Sequence, residues 1–171
     1  MTGGIRSLPD LLSHALAIET EAVERYTMLA DQMEVHNNTE LTAIFRKLAH
    51  IEGLHAKEIE ERAAGLDMPD LKPWEYEWGG GESPEASDPT EAHYLMTPYH
   101  ALKMALAAEQ RAFAFFNDLI GKVEDGEVRK LAEEFADEER EHVSLVEELL
   151  ERYPEPAADW DDDPDPPALQ E

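Results

Sequence analysis

The chain has 171 residues, with 40 acidic against 14 basic side chains and a formal charge of −26. A surface this negative disfavours a phosphate backbone or an anionic lipid as partner, because either requires a positive footprint, and it favours cations instead. Cysteine is absent, which excludes disulfides, thiolate nucleophiles, iron–sulfur clusters and cysteine-ligated electron-transfer centres, so that any metal must be held by oxygen and nitrogen.

Residues 1–6 read as a short N-terminal extension. Residues 1–9 carry one arginine and no apolar run of the kind a secretory signal needs. No stretch approaches the roughly 18 consecutive apolar residues of a membrane span. The expectation is a soluble, cytoplasmic protein with neither nucleic acid nor membrane as partner.

Four long segments then carry apolar residues at three- and four-residue steps, and none alternates like a strand. The first is predicted to start at the Ser7 cap, answered by Asp10, and to run through Leu12, Leu16, Val23, Tyr26 and Met33 to Asn37 and Asn38. The second starts near Thr39 and stops before Gly65. A third has Thr97 as cap and Pro98 in the first helical position, and fades at Gly121. The fourth starts around Asp125 and ends at Tyr153, before Pro154. The short links at Asn37 to Thr39 and at Gly121 to Gly126 make helices one and two, and helices three and four, antiparallel hairpins.

Between the hairpins the link is long. Residues 66–97 include Gly79, Gly80 and Gly81, four prolines and the aromatic group Trp74, Tyr76 and Trp78. A four-helix bundle with one long crossover between helices two and three needs such a link, because the chain must travel the length of the bundle. About a dozen residues suffice for a span of roughly 40 Å, and the surplus is expected to cap the bundle or touch another subunit. Residues 154–171 hold seven acidic residues, five prolines and no basic residue, the composition of a disordered acidic tail. The expected layout is therefore a bundle over residues 7–153 with that tail behind it.

The chemistry lies in a repeated spacing. Glu52 and His55 on the second helix, and Glu139 and His142 on the fourth, share the Glu-x-x-His pattern, which places both side chains on one helical face. Taken singly the pattern is weak, since in so acidic a chain about one copy arises by chance. Internal symmetry strengthens it. Glu19 with Tyr26 on the first helix parallels Glu109 with Phe116 on the third, an aromatic following a glutamate by seven residues in each. Glu19 precedes Glu52 by 33 residues, and Glu109 precedes Glu139 by 30. Depth agrees as well: Glu19 and Glu109 each lie 12 residues beyond their caps, and Glu52 and Glu139 lie 13 and 14 beyond theirs. At about 1.5 Å per residue all four sit roughly 18–21 Å along their helices, in one layer.

Each of the four also falls in an apolar stripe. Glu19 lies between Leu16 and Val23, Glu52 follows Leu48, Glu109 lies between Leu106 and Phe113, and Glu139 lies between Phe135 and Val143. Four carboxylates turned into a core must be paired or must coordinate cations. Two divalent ions supply four positive charges, and His55 and His142 add neutral nitrogen donors, the composition of a carboxylate-bridged di-iron or di-manganese site. The opposing reading, surface glutamates on acidic helices, applies to Glu21, Glu24, Glu58, Glu60, Glu133, Glu134, Glu138 and Glu141, which are assigned to solvated faces. The sequence alone argues no role for His50, His93 or His100.

Glu19 with Tyr26, Glu52-x-x-His55, Glu109 and Glu139-x-x-His142 resemble the ferritin-like superfamily, and the arrangement is most similar to its rubrerythrin-like branch. The resemblance covers nearly all of residues 7–153. It implies an all-α, ferritin-like antiparallel four-helix bundle, with Glu52 and Glu139 bridging two metals, Glu19 and Glu109 as terminal ligands, His55 and His142 serving one iron each, and Tyr26 bonded to a ligand carboxylate. The chain departs from rubrerythrins in several ways. Leu106 and Ala112 stand where a further glutamate on the third helix would be expected, Phe116 replaces a second tyrosine, and there is neither a rubredoxin module nor a fifth helix of the ferritin kind.

The implied function is a non-haem di-iron oxidoreductase, of peroxidase or ferroxidase type, that reduces peroxide or dioxygen with Fe(II) oxidation and, as a peroxidase, draws on an external electron donor. The alternative is iron binding or iron handling without turnover, as cargo or partner of a larger assembly. Manganese in place of iron stays open, and a homodimer or higher homo-oligomer is the family-level expectation.

Overall fold

The computed structural model describes residues 5–71 and 97–157. These form four helices and no strand: α1 (Leu8–Val35), α2 (Thr39–Ala63), α3 (Pro98–Ile120) and α4 (Gly126–Leu150). The central part of the crossover, with Trp74, Tyr76, Trp78 and His93, lies outside the described residues, as do residues 1–4 and the tail from residue 158 with Trp160.

Cap chemistry sets the helix starts. Ser7 Oγ accepts from the Asp10 amide at 3.3 Å while the Asp10 carboxylate accepts from the Ser7 amide at 3.3 Å, the reciprocal box expected at α1. Thr97 caps α3 with Pro98 in its first turn. Asp125 caps α4 by accepting from the Glu127 and Val128 amides at 2.8 and 3.1 Å. At α2 the cap is Asn38, whose side chain accepts from the Leu41 amide at 2.9 Å.

Two helices stop earlier than their periodicity suggests. Helix α1 ends at Val35 because Asn37 turns left-handed, at φ 57°, which closes a pair of bonds from Asn38 to the Met33 carbonyl at 2.9 Å and from Asn37 to the Glu34 carbonyl at 3.0 Å. Helix α4 ends at Leu150 rather than Tyr153. Its last amides, Arg152 and Tyr153, bond three residues back to Leu149 and Leu150 at 3.1 and 3.2 Å, so the chain tightens and leaves the α conformation ahead of Pro154. After α2 the turn depends on Gly65 at φ 82°, where a side chain would be strained.

The apolar faces assemble into two clusters stacked along the bundle. One draws on the first half of α1 (Leu11, Leu12, Ile18), the end of α2 (Ile59), the end of α3 (Phe116, Leu119) and the start of α4 (Val128, Phe135). The other draws on Tyr26, Leu29 and Met33, on Leu41, Phe45 and Leu48, on Leu102 and Leu106, and on Val146 and Leu149. The helix ends that meet in each cluster define the topology. Helices α1 and α4 run together, α2 and α3 run against them, and the end of α2 lies at the opposite pole from the start of α3. The two ends of the crossover therefore lie at opposite poles. Between the two clusters each helix leaves one short gap, and the four gaps hold Glu19, Glu52, Glu109 and Glu139.

Candidate metal centre

All four carboxylates are buried, at 1% exposure for Glu19 and Glu52, 0% for Glu109 and 2% for Glu139. The apolar layers above and below exclude water from them, which is what the equal depths along the four helices require.

Two histidines close the side of the layer where α2 faces α4. Their rings stack with centroids 5.4 Å apart and planes within 9°. His142 Nδ1 lies 3.0 Å from Glu52 Oε1 and 3.5 Å from one oxygen of each of Glu109 and Glu139. His55 Nδ1 lies 3.5 Å from Glu52 Oε2 and 3.9 Å from Glu19 Oε2. Glu52 thus turns one oxygen toward each histidine. Glu109 Oε1 is held by the Tyr26 hydroxyl and by Arg25 Nη2 at 3.3 Å, which leaves Oε2 facing the centre. The structure brings Glu19, Glu52, His55, Glu109, Glu139 and His142 together, with Tyr26 against one of the carboxylates.

Burial and crowding set the proton distribution. Burial pushes the Glu19 and Glu139 carboxyls well above the usual carboxylate range, and the neighbouring carboxylates push them further. Burial acts against Glu52 too, but contact with Glu19 and both histidines outweighs it and holds that carboxyl below the usual range. Glu109 is also lowered: His142 and the Arg25 charge overcome its desolvation. His142 loses from burial and gains more from Glu109, Glu139 and Glu52, so its imidazolium form is strongly favoured. His55 is raised chiefly by Glu52.

Seven buried atoms of these six residues have no hydrogen-bond partner: Glu19 Oε2, both oxygens of Glu52, Glu109 Oε2, Glu139 Oε2, and Nδ1 of His55 and of His142. Polar atoms stripped of water and left unpaired are costly in any core. The atoms converge. Glu52, His55 and His142 offer ligand atoms within 4.8 Å of one another, as do Glu109, Glu139 and His142, and as do Glu19, His55 and Glu138. Oxygen and imidazole donors converging in this way could hold a metal ion.

Two further charged residues, Arg25 and Glu138, lie against the layer. Arg25 is 3% exposed and lies over the Tyr26 ring at 4.4 Å. Its signal was the step Ile18, Ala22, Arg25, Leu29, which puts the arginine on an otherwise apolar stripe. Glu138, assigned above to a solvated face, is instead half-buried, with its carboxyl raised by desolvation. It follows Phe135 by three residues and precedes His142 by four, which sets it on the inner edge of α4. Glu21 is half-buried as well, whereas Glu24, Glu58, Glu60, Glu133, Glu134 and Glu141 are exposed as expected.

Two other described histidines are engaged at helix starts. His14 Nδ1 lies 2.7 Å from the Asp10 carbonyl, His100 Nδ1 lies 2.6 Å from Thr97 Oγ1 at the α3 cap, and His50 is exposed. Phe116, at the position that mirrors Tyr26, is fully buried against Phe135 with ring centroids 5.2 Å apart.

Among the described residues no helix is long and apolar enough to cross a membrane. No curated protein matches the chain. It is similar to an uncharacterized conserved protein from Magnetospirillum magnetotacticum MS-1, whose 2.00 Å crystal structure aligns at a TM-score of 0.75 and 40% identity, over 88% of this chain and 98% of that one. The family model for the ferritin-like domain matches residues 8–155. With four helices and a mid-bundle layer of glutamates and histidines behind that match, the chain belongs to the ferritin-like family.

Proposed function

We propose that the protein is a non-haem di-iron oxidoreductase that couples oxidation of bound Fe(II) to reduction of peroxide or dioxygen. The observation that carries this reading is the convergence of seven unpartnered buried oxygen and nitrogen atoms on one layer between two apolar clusters. Two bound ferrous ions would supply the electrons and the Lewis acidity. The chain supplies the rest. Glu52 offers one oxygen to each side, in the manner of a bridge. Tyr26 and Arg25 fix the rotamer of Glu109, and the apolar clusters keep bulk water from the layer. As a peroxidase, the protein would draw on an external electron donor to regain the reduced state.

Iron handling without turnover is the second reading, and one observation favours it. Helix α3 brings only Glu109 to the layer, because Leu106 and Ala112, one turn to either side, are buried apolar residues. The two readings separate in stopped-flow oxidation of the anaerobically Fe(II)-loaded protein with hydrogen peroxide. The oxidoreductase gives fast oxidation at two Fe(II) per peroxide, with the iron retained. Slow oxidation accompanied by iron release establishes handling instead.

Metal uptake is expected to release protons. Glu19, Glu139 and His142 hold protons in the metal-free protein at pH values where the free side chains would have lost them, and ligation requires those protons to leave. Titration of the metal-free protein with Fe(II) in weakly buffered anaerobic solution should acidify it, and affinity should rise with pH. Uptake without proton release would contradict the assignment.

A further inference from the structure

The charge count at the centre is one carboxylate short. Glu19, Glu52, Glu109 and Glu139 bring four negative charges, and Arg25, 3% exposed with Nη2 3.3 Å from Glu109 Oε1, offsets one of them. Two divalent cations bring four positive charges, so a buried set that is matched to them needs a fifth carboxylate. Glu138 stands in that position. One of its oxygens, one of Glu19 and a ring nitrogen of His55 lie within 4.8 Å of one another.

An independent observation points at the same spot. Glu19 Oε2 belongs to a residue 1% exposed, has no hydrogen-bond partner, and lies 3.9 Å from His55 Nδ1. The opposite side of the layer is already furnished: Glu109, Glu139 and His142 converge there, with Glu109 pinned by Tyr26 and Arg25. The grouping around His142 holds two carboxylates, Glu109 and Glu139, and the grouping around Glu19 and His55 reaches two only with Glu138.

The two sides also differ in access. Glu138 is half-buried where the four central glutamates are buried, and the His55 side chain is 21% exposed against 12% for His142. The charged neighbours of Glu138 include Glu58 and Arg62, both exposed near the end of α2. Glu138 thus stands between solvent and the buried layer. We propose that Glu138 is a seventh ligand, which with Glu19 and His55 forms an outer cation site through which divalent metal exchanges with solvent, while Glu109, Glu139 and His142 form a more secluded inner site. This rests on the two-metal reading above.

The test is anaerobic equilibrium dialysis of the full chain against Fe(II), with chelator-driven release of the bound metal, for the wild type, Glu138→Gln and the exposed control Glu133→Gln. The expected result is one ion held by Glu138→Gln as in the wild type and the other bound at least about 10-fold more weakly and released faster, with Glu133→Gln unchanged. Glu138→Asp keeps the charge but withdraws the oxygen, and weakens the same single site, which gives a second readout should Glu138→Gln fold poorly. Two ions bound to Glu138→Gln with wild-type affinity and release would overturn the proposal. A wild type that binds no Fe(II) would overturn the two-metal reading beneath it, and the two failures are distinct.

Discussion

Loading the metal-free protein with Fe(II) under anaerobic conditions is expected to raise its melting temperature by roughly 10–20 °C. An ion present at 100 times its dissociation constant adds about 2.7 kcal/mol, two add about 5 kcal/mol, and for a domain of this size each kcal/mol moves the midpoint by about 2–4 °C. The metal-free core is the reason the effect is large. Four carboxylates at 2% exposure or less face one another with Arg25 as the nearest fixed cation, and their desolvation is offset only in part by protons. The pH dependence follows from the directions of the shifts. Glu19, Glu139 and His142 are raised, so the stability they contribute is full below their unfolded values and is lost as pH rises through their folded ones. Glu52 and Glu109 are lowered and act in the opposite sense, losing their contribution as pH falls. The metal-free protein is therefore expected to melt highest in mildly acidic solution, and the gain on adding Fe(II) to grow toward neutral pH. Differential scanning calorimetry across that range checks both statements; a melting curve indifferent to Fe(II) contradicts them.

Glu52→Ala is expected to abolish binding at both positions, with each site weakened by about 100-fold or more, beyond the effect typical of a residue that only supports a ligand. Its two oxygens lie 3.0 Å from His142 Nδ1 and 3.5 Å from His55 Nδ1, one on each side of the layer, so a single truncation strips both sites. His55→Ala removes a donor from one side and should leave the His142 side occupied. Elemental analysis of the two variants after identical loading separates the roles. Equal loss in both would mean that Glu52 does not join the sites.

Much of this was legible in the sequence, and the reason is local. Ser7, Thr97 and Asp125 are cap residues whose side chains bond amides two or three residues on, so the start of each helix is written where it occurs. Depth follows from counting forward at a fixed rise, and that placed four glutamates in one layer before any packing was known. Helix ends were less visible. The stop at Val35 depends on the left-handed turn at Asn37, and the stop at Leu150 on tightening ahead of Pro154, neither of which alters the apolar period.

Arg25 and Glu138 were hidden by a different cause. Each occupies a position in register with a buried stripe, yet a charged side chain in a chain with 54 charged residues, 40 acidic and 14 basic, reads by default as solvated. Only the assembled bundle separates the one arginine that is buried from those that are not. Helix α4 shows the difficulty most plainly, since Glu138 and Glu139 are adjacent and a step of three or four from Phe135 reaches either one. Both the charge balance of the layer and its access from solvent turn on these two residues.

The most direct test of the central claim is the metal content of the purified protein before and after anaerobic Fe(II) loading, set beside the Glu52→Ala/Glu139→Ala double variant. About two irons per chain in the wild type, as in di-iron carboxylate bundles, and almost none in the variant, is the predicted result. An iron-free wild type, or a double variant that retains the same iron, would contradict it.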